Sequence, residues 1–227
     1  MKRTGSRTRT IFAYVLVFPL LLSFTANVVS DTVEGPRQAA AASAHPAATA
    51  AGKEILLAGG NAFDAAVAMA AALGVVEPAS SGFGGGGFFL IHRASDNKQV
   101  MIDAREKAPL AASADMYLNA AGEFDRKRSL NGPLAGGIPG LAAGLIALSV
   151  QYGRVSLAAA LAPAIRLAEN GFPVTDRYMR MMGFRATAMA AFPETAKIFM
   201  PGGIDNLKLG TLIIQKDLAK TISSLAR

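Results

Sequence analysis

The 227-residue chain has no cysteine and only two histidines, His45 and His92. The first absence excludes disulfide staples, zinc–thiolate centres and thiol nucleophiles, and the second excludes a histidine-rich metal site. Charge is scarce as well, at 17% of residues against 52% hydrophobic, which is too apolar for a disordered chain. The length allows one sizeable core or two small ones. No Gly-Lys-Ser/Thr triplet occurs, so a P-loop is excluded. Beyond the N-terminal segment the one basic run is Arg126-Lys127-Arg128, which lies beside Glu123 and Asp125 and reads as a solvated loop. Nucleic acid is therefore not an expected partner.

Basic residues gather instead at the start. Lys2, Arg3, Arg7 and Arg9, with no acid among them, precede the apolar stretch Ile11 to Phe24, the pattern of a secretory signal. Residues 1–30 are expected to be a signal peptide cleaved somewhere between 26 and 44, with a linker over 31–45. The apolar run is interrupted by Pro19 and falls short of the ~20 residues that cross a bilayer, which disfavours a retained membrane anchor. A periplasmic or secreted product is expected. Removing the four basic residues lowers the formal charge from +7 to +3, so the high isoelectric point is partly a property of the leader.

Helix and strand signals follow in the remainder, 46–227. Pro46 opens an alanine-rich helix that Gly59-Gly60 would stop, and Asn61 with Asp64 would cap a second, from Ala62 to about Val75. That second helix has almost no polar face and is expected to be buried. Phe88 to Arg93 and Gln99 to Ala104, joined through Asp96-Asn97, read as a β-hairpin with Arg105 and Glu106 at its exit. Two helices are expected over Pro139 to Gln151 and Ser156 to Asn170, the latter stopped by Gly171. A Met-rich helix capped by Thr175 is expected to end before Pro193. Thr211 to Ile214 reads as a short strand, and Leu218, Ile222 and Leu225 mark a final helix. This helix meets Arg227 without a glycine cap or polar tail, which leads us to expect a chain cut short.

Five glycines stand among the six residues Gly82 to Gly87, and Gly82, Gly84 and Gly87 match G-x-G-x-x-G. A dinucleotide fingerprint needs strand, glycines, then a helix whose amides meet the pyrophosphate. Here the order is helix, glycines, then the β-like Phe-Phe-Leu-Ile, and no acid stands at the ribose distance. The run is expected to allow close backbone approach instead. His45 is expected to be structural, His92 an outward strand residue, and Asp64 a helix-cap partner.

Three segments in order resemble the N-terminal part of the large subunit of the γ-glutamyltransferases, also called γ-glutamyltranspeptidases or glutathione hydrolases. They are HPAATAAGKEILLAGGNAFDAAVAMAAALGVVEPASSGFGGGGFFL, then DAREKAP, then SLNGPLAGGIPGLAAGL, and the likeness spans roughly residues 40 to 227. It implies an α+β fold, an incomplete N-terminal-nucleophile hydrolase αββα sandwich of which this chain is a helix-rich fragment. It also implies a precursor that cleaves itself into two subunits. The new N-terminal Thr of the small subunit attacks the γ-glutamyl amide of glutathione, and its α-amino group serves as base. The acyl group then passes to water or to an acceptor amino acid or peptide. No metal or organic cofactor is implied.

The same resemblance assigns Arg105 to the α-carboxylate of the γ-glutamyl group, a match for the planar fork of a guanidinium. Glu106 is a possible support that neutralises or orients it. The family often has an aromatic residue before this Arg, where Ala104 stands here. No catalytic residue is expected within the chain, which has no Thr-Thr and no Thr directly before either His. The chain is thus expected to be inactive alone and to need the missing small subunit. Its rival is a non-catalytic periplasmic γ-glutamyl or peptide-binding module, or a subunit completed by a separate small chain. A half-sandwich should also leave sheet edges and apolar helix faces bare, with the helix 62–75 the foremost hazard.

Overall fold

Helices begin where their cap residues stand in the computed structural model, which describes residues 39–227. The expected signal peptide, and the expected linker up to residue 38, lie outside the described residues. Helix α1, Pro46–Leu57, has proline in its first turn and His45 as N-cap, whose Nδ1 accepts the Ala47 N–H at 3.1 Å. Helix α2, Ala62–Val76, opens on a reciprocal capping box: the Asn61 side chain accepts the Phe63 and Asp64 amides, and the Asp64 carboxylate accepts the Asn61 N–H at 2.8 Å. Strands β1, Gly87–Arg93, and β2, Lys98–Ala104, form the antiparallel hairpin, turning through Asn97 at φ 54°.

Arg126-Lys127-Arg128 is a correction to the loop expected there. It opens a short helix, α3, Arg126–Leu130, because Asp125 caps the Lys127 and Arg128 amides and Arg128 donates to the Leu118 carbonyl. Helix α4, Leu141–Tyr152, and helix α5, Leu157–Asn170, match the expected pair, with Ser156 capping α5 and Gly171 leaving it at φ 83°. Strand β3 is Phe172–Pro173. The expected Met-rich helix is broken in two, and a separate piece starts at Pro193. Helix α6, Asp176–Gly183, is capped by Thr175 and ends at Gly183, α7 is Ala186–Ala190, and α8 is Pro193–Phe199. Tyr178 holds the first piece against the last, donating to the Phe199 carbonyl at 2.9 Å. Strand β4, Leu212–Ile213, pairs antiparallel with β3, and helix α9, Lys216–Leu225, ends the chain.

The core forms around α2. Its alanines let α1, α4 and α5 approach closely, and Val67, Ala68, Ala71, Ala72 and Val75 are fully buried. Each buried valine contributes about 2 kcal/mol by removal of apolar surface from water. The helix named as the foremost hazard is therefore covered by its own chain. Helix α9 packs on α5 through Ile222, and the buried Gln215 donates to the Val75 carbonyl at 2.8 Å, tying the tail to the end of α2.

Only one face of the hairpin is covered. Phe89, Ile91, Val100 and Ile102 point inward to the core, while Phe88, Leu90, His92 and Met101 are exposed. His92 is outward, as expected. The bare apolar surface lies on the sheet and not on α2, so the described residues supply helices for one side of the hairpin and nothing for the other. This is the arrangement of an α+β sandwich of which part is present.

Candidate functional site

The exit of β2 is held between two glycine segments. Gly85 accepts both the Gly140 and Leu141 amides at 3.1 Å through its carbonyl, which docks the glycine run onto the start of α4. Lys107 and Ile138 exchange backbone hydrogen bonds at 3.1 and 2.8 Å, pinning the segment after Glu106. A side chain at Gly86 or Gly140 would collide with the Ala104 carbonyl, and at Gly144 with the Ala104 methyl. The glycines therefore do what their context suggested: they admit backbone against backbone, here around residues 104–107.

Between these segments Arg105 leaves the sheet on its exposed face. Its backbone N–H donates to Asp103 Oδ1 at 3.0 Å, and its Nε lies 3.2 Å from Glu106 Oε2. Glu106 Oε2 is itself buried and has no hydrogen-bond partner among the described residues, so its contact with Nε is an ion pair without hydrogen-bond geometry. The Glu106 stem packs near Gly137, where an added Cβ would sit 3.1 Å from Glu106 Cβ. The Arg105 guanidinium also lies over the Phe88 ring, 5.9 Å from its centroid. The side chain of Arg105 is 55% exposed, and the one ion pair uses Nε, so both Nη groups stay unpaired among the described residues. Beside them opens a groove of about 360 Å³ lined by Asp103, Arg105, Lys107, Ile138 and Pro139. A guanidinium ion-paired at Nε with both Nη groups free can take a carboxylate.

Arg105 and Glu106, singled out in the sequence, are thus together, while Asp64, His45 and His92 are elsewhere. Asp64 is fully buried and also accepts the Arg154 amide with both oxygens, at 3.1 and 2.9 Å, so it joins α2 to the turn before α5. His45 lines a small pocket of about 10 Å³ with Glu77, Arg177 and Tyr178, room for no more than one water. There Glu77 pairs with Arg177 at 2.9 Å, and burial lowers the His45 pKa and raises that of the Tyr178 phenol. Among the described residues no three His, Asp or Glu side chains gather to hold a metal ion. Asp103, a partner that the sequence offered for Arg105 beside Glu106, is there at its backbone N–H, whereas sequence reasoning missed Phe88. The hairpin register, which sets Phe88 opposite Asp103, could have found it, since Phe88 then shares a face with Arg105.

The gamma-glutamyltranspeptidase family matches residues 48–227. The chain is 38% identical to the glutathione hydrolase proenzyme of Bacillus subtilis, over 97% of this chain and 39% of that one. To the acylase ACY 1 proenzyme of a Pseudomonas species it is 40% identical, over 80% of this chain and 33% of the other. The chain thus spans between a third and two fifths of these relatives. Among solved structures, gamma-glutamyltranspeptidase of Helicobacter pylori superposes with a TM-score of 0.80 at 40% identity, covering 86% of this chain and 55% of that one. The family match over most of the chain, with the hairpin and helices superposing, means that the chain belongs to the gamma-glutamyltranspeptidase family and has part of its N-terminal-nucleophile hydrolase fold.

Proposed function

We propose that this chain supplies the substrate-carboxylate contact of an exported γ-glutamyltransferase that cleaves the γ-glutamyl amide of glutathione and related compounds. The observation that carries this reading is the state of Arg105, tied at Nε to Glu106 with both Nη groups unpaired beside an open groove. Such a cation discriminates by charge: an acyl group with an α-carboxylate gains a bidentate, charge-assisted pair there, and one without it gains nothing. Glutathione and other γ-glutamyl amides carry that carboxylate. Glu106 sets a negative charge against the Nε edge of the guanidinium.

Attack on the amide carbon is assigned to the N-terminal Thr of a small subunit, with its own α-amino group as base, and the acyl-enzyme passes to water, an amino acid or a peptide. Residues 1–227 contain no Thr-Thr, and Ala44 and Ile91 precede the two histidines. Alone, they hold and orient but do not cleave. The basic and apolar N-terminal segment supports export to the periplasm or the medium.

The test is hydrolysis of a γ-glutamyl anilide. The purified 227-residue chain should release no aniline, and any turnover overturns the division of labour. In the complete enzyme that carries this chain, Arg105→Ala should raise KM by more than about tenfold, as expected for loss of a charge-assisted pair. An unchanged KM removes Arg105 from the site. A cooperative melt of the chain alone that shifts with glutathione, without turnover, would instead favour a binding module.

A further inference from the structure

We propose that Phe88 is a positioning residue for Arg105, its ring holding the guanidinium where the substrate carboxylate is met. The proposal rests on the reading of Arg105 given above. It starts from the register of the hairpin: Phe88 pairs with Asp103, two residues before Arg105, so ring and guanidinium lie diagonally on one face. The guanidinium carbon is 5.9 Å from the ring centroid, within the range where the negative face of an aromatic ring attracts a cation.

Three restraints then reach Arg105 from different sides. Its backbone N–H is held by Asp103 Oδ1, its Nε by Glu106 Oε2, and its guanidinium by the Phe88 ring. The first fixes where the side chain starts, the second draws one edge of the planar head toward Glu106, and the ring limits the swing that remains. A long arginine that is already restrained loses less rotamer freedom when it closes on a carboxylate, and this appears as affinity. Leu90 and Met101, exposed on the same face, offer aliphatic surface without a π face. Phe88 differs from them in chemistry, and the difference can be read out.

In the complete enzyme, Phe88→Leu keeps an apolar side chain and removes the π face. It should raise KM for a γ-glutamyl anilide about fivefold while kcat changes less than about twofold, and Phe88→Tyr should restore KM to within about twofold. In an Arg105→Ala background Phe88→Leu should add nothing. If Phe88→Leu leaves KM unchanged while Arg105→Ala raises it, the proposal falls and the reading of Arg105 stands. If Arg105→Ala leaves KM unchanged, both fall. A full additive loss in the double variant would mean that Phe88 meets the substrate by itself, which also overturns a positioning role. Should the Leu variant melt lower than the parent, Phe88→Met decides by the same criteria.

Discussion

Helix α2 and the β1–β2 hairpin lie side by side in the chain and are finished to different degrees. Helix α2 is apolar almost throughout, yet its surface is taken up by α1, α4 and α5, and its first turn is closed by Asn61 and Asp64. The hairpin has the ordinary two-faced alternation of a strand pair, yet only its inner face is covered, leaving Phe88, Leu90 and Met101 in solvent. Apolar content alone therefore did not predict where bare surface would be. Small side chains made α2 easy to surround, whereas a sheet face needs a second layer, and the described residues contain none for it. The candidate chemistry sits on the unfinished side: Arg105 emerges on the exposed face, at the edge of the same surface.

If α2 is the finished region, breaking its closure should have the largest effect. Asp64→Ala strips two backbone amides, Asn61 and Arg154, of a buried charged acceptor and should lower the unfolding free energy by about 3 kcal/mol in a urea melt. A loss below about 1 kcal/mol would show that α2 is held by packing alone. Next comes the seam between the regions. Gly140→Ala sets a methyl against the Ala104 and Arg105 carbonyls, which cannot move aside as a side chain can. It should cost about 2 kcal/mol and raise KM, whereas Gly84→Ala, with open space around it, should change stability by less than about 0.5 kcal/mol. Equal effects at the two positions would mean that the glycine run is a flexible hinge and not a clamp.

The smallest effect concerns pH. Burial lowers the pKa of His45 beneath its ordinary 6.5, and its Nδ1 must be unprotonated to accept the Ala47 amide. The unfolded chain thus takes up the proton first, so this contribution is complete above pH 6.5 and declines as pH falls toward the folded value. The urea midpoint should drop slightly between pH 7 and 5, and His45→Asn, which caps without titrating, should flatten that slope. A midpoint that rises on acidification would reverse the assignment.

Much of this was legible in the residues because the signals were local. Asn61, Ser156 and Thr175 cap the helices they precede, the alternation in Phe88 to Arg93 gives a strand, and Leu218, Ile222 and Leu225 give one face of α9. Local signals also misled where a competing contact decided. The Met-rich segment breaks after Gly183 as Tyr178 ties it back to Phe199, and Asp125 turns a basic run from loop into helix. Arg105 and Glu106 were identified through the family resemblance, since an arginine beside a glutamate on a strand exit has no signature of its own.

By itself the sequence determined the capped helices, the hairpin, the family and the absence of thiol or histidine-cluster chemistry, all of which depend on residue type and short spacing. Only the tertiary structure decided that α2 is enclosed, that Gly85 and Gly86 close on Gly140 around residues 104–107, and that Phe88 stands over Arg105. The glycine and Phe88 contacts join residues 17 to 55 positions apart and the enclosure of α2 reaches further still, and at such separations proximity is set by how whole elements pack, a quantity no short window of residues contains.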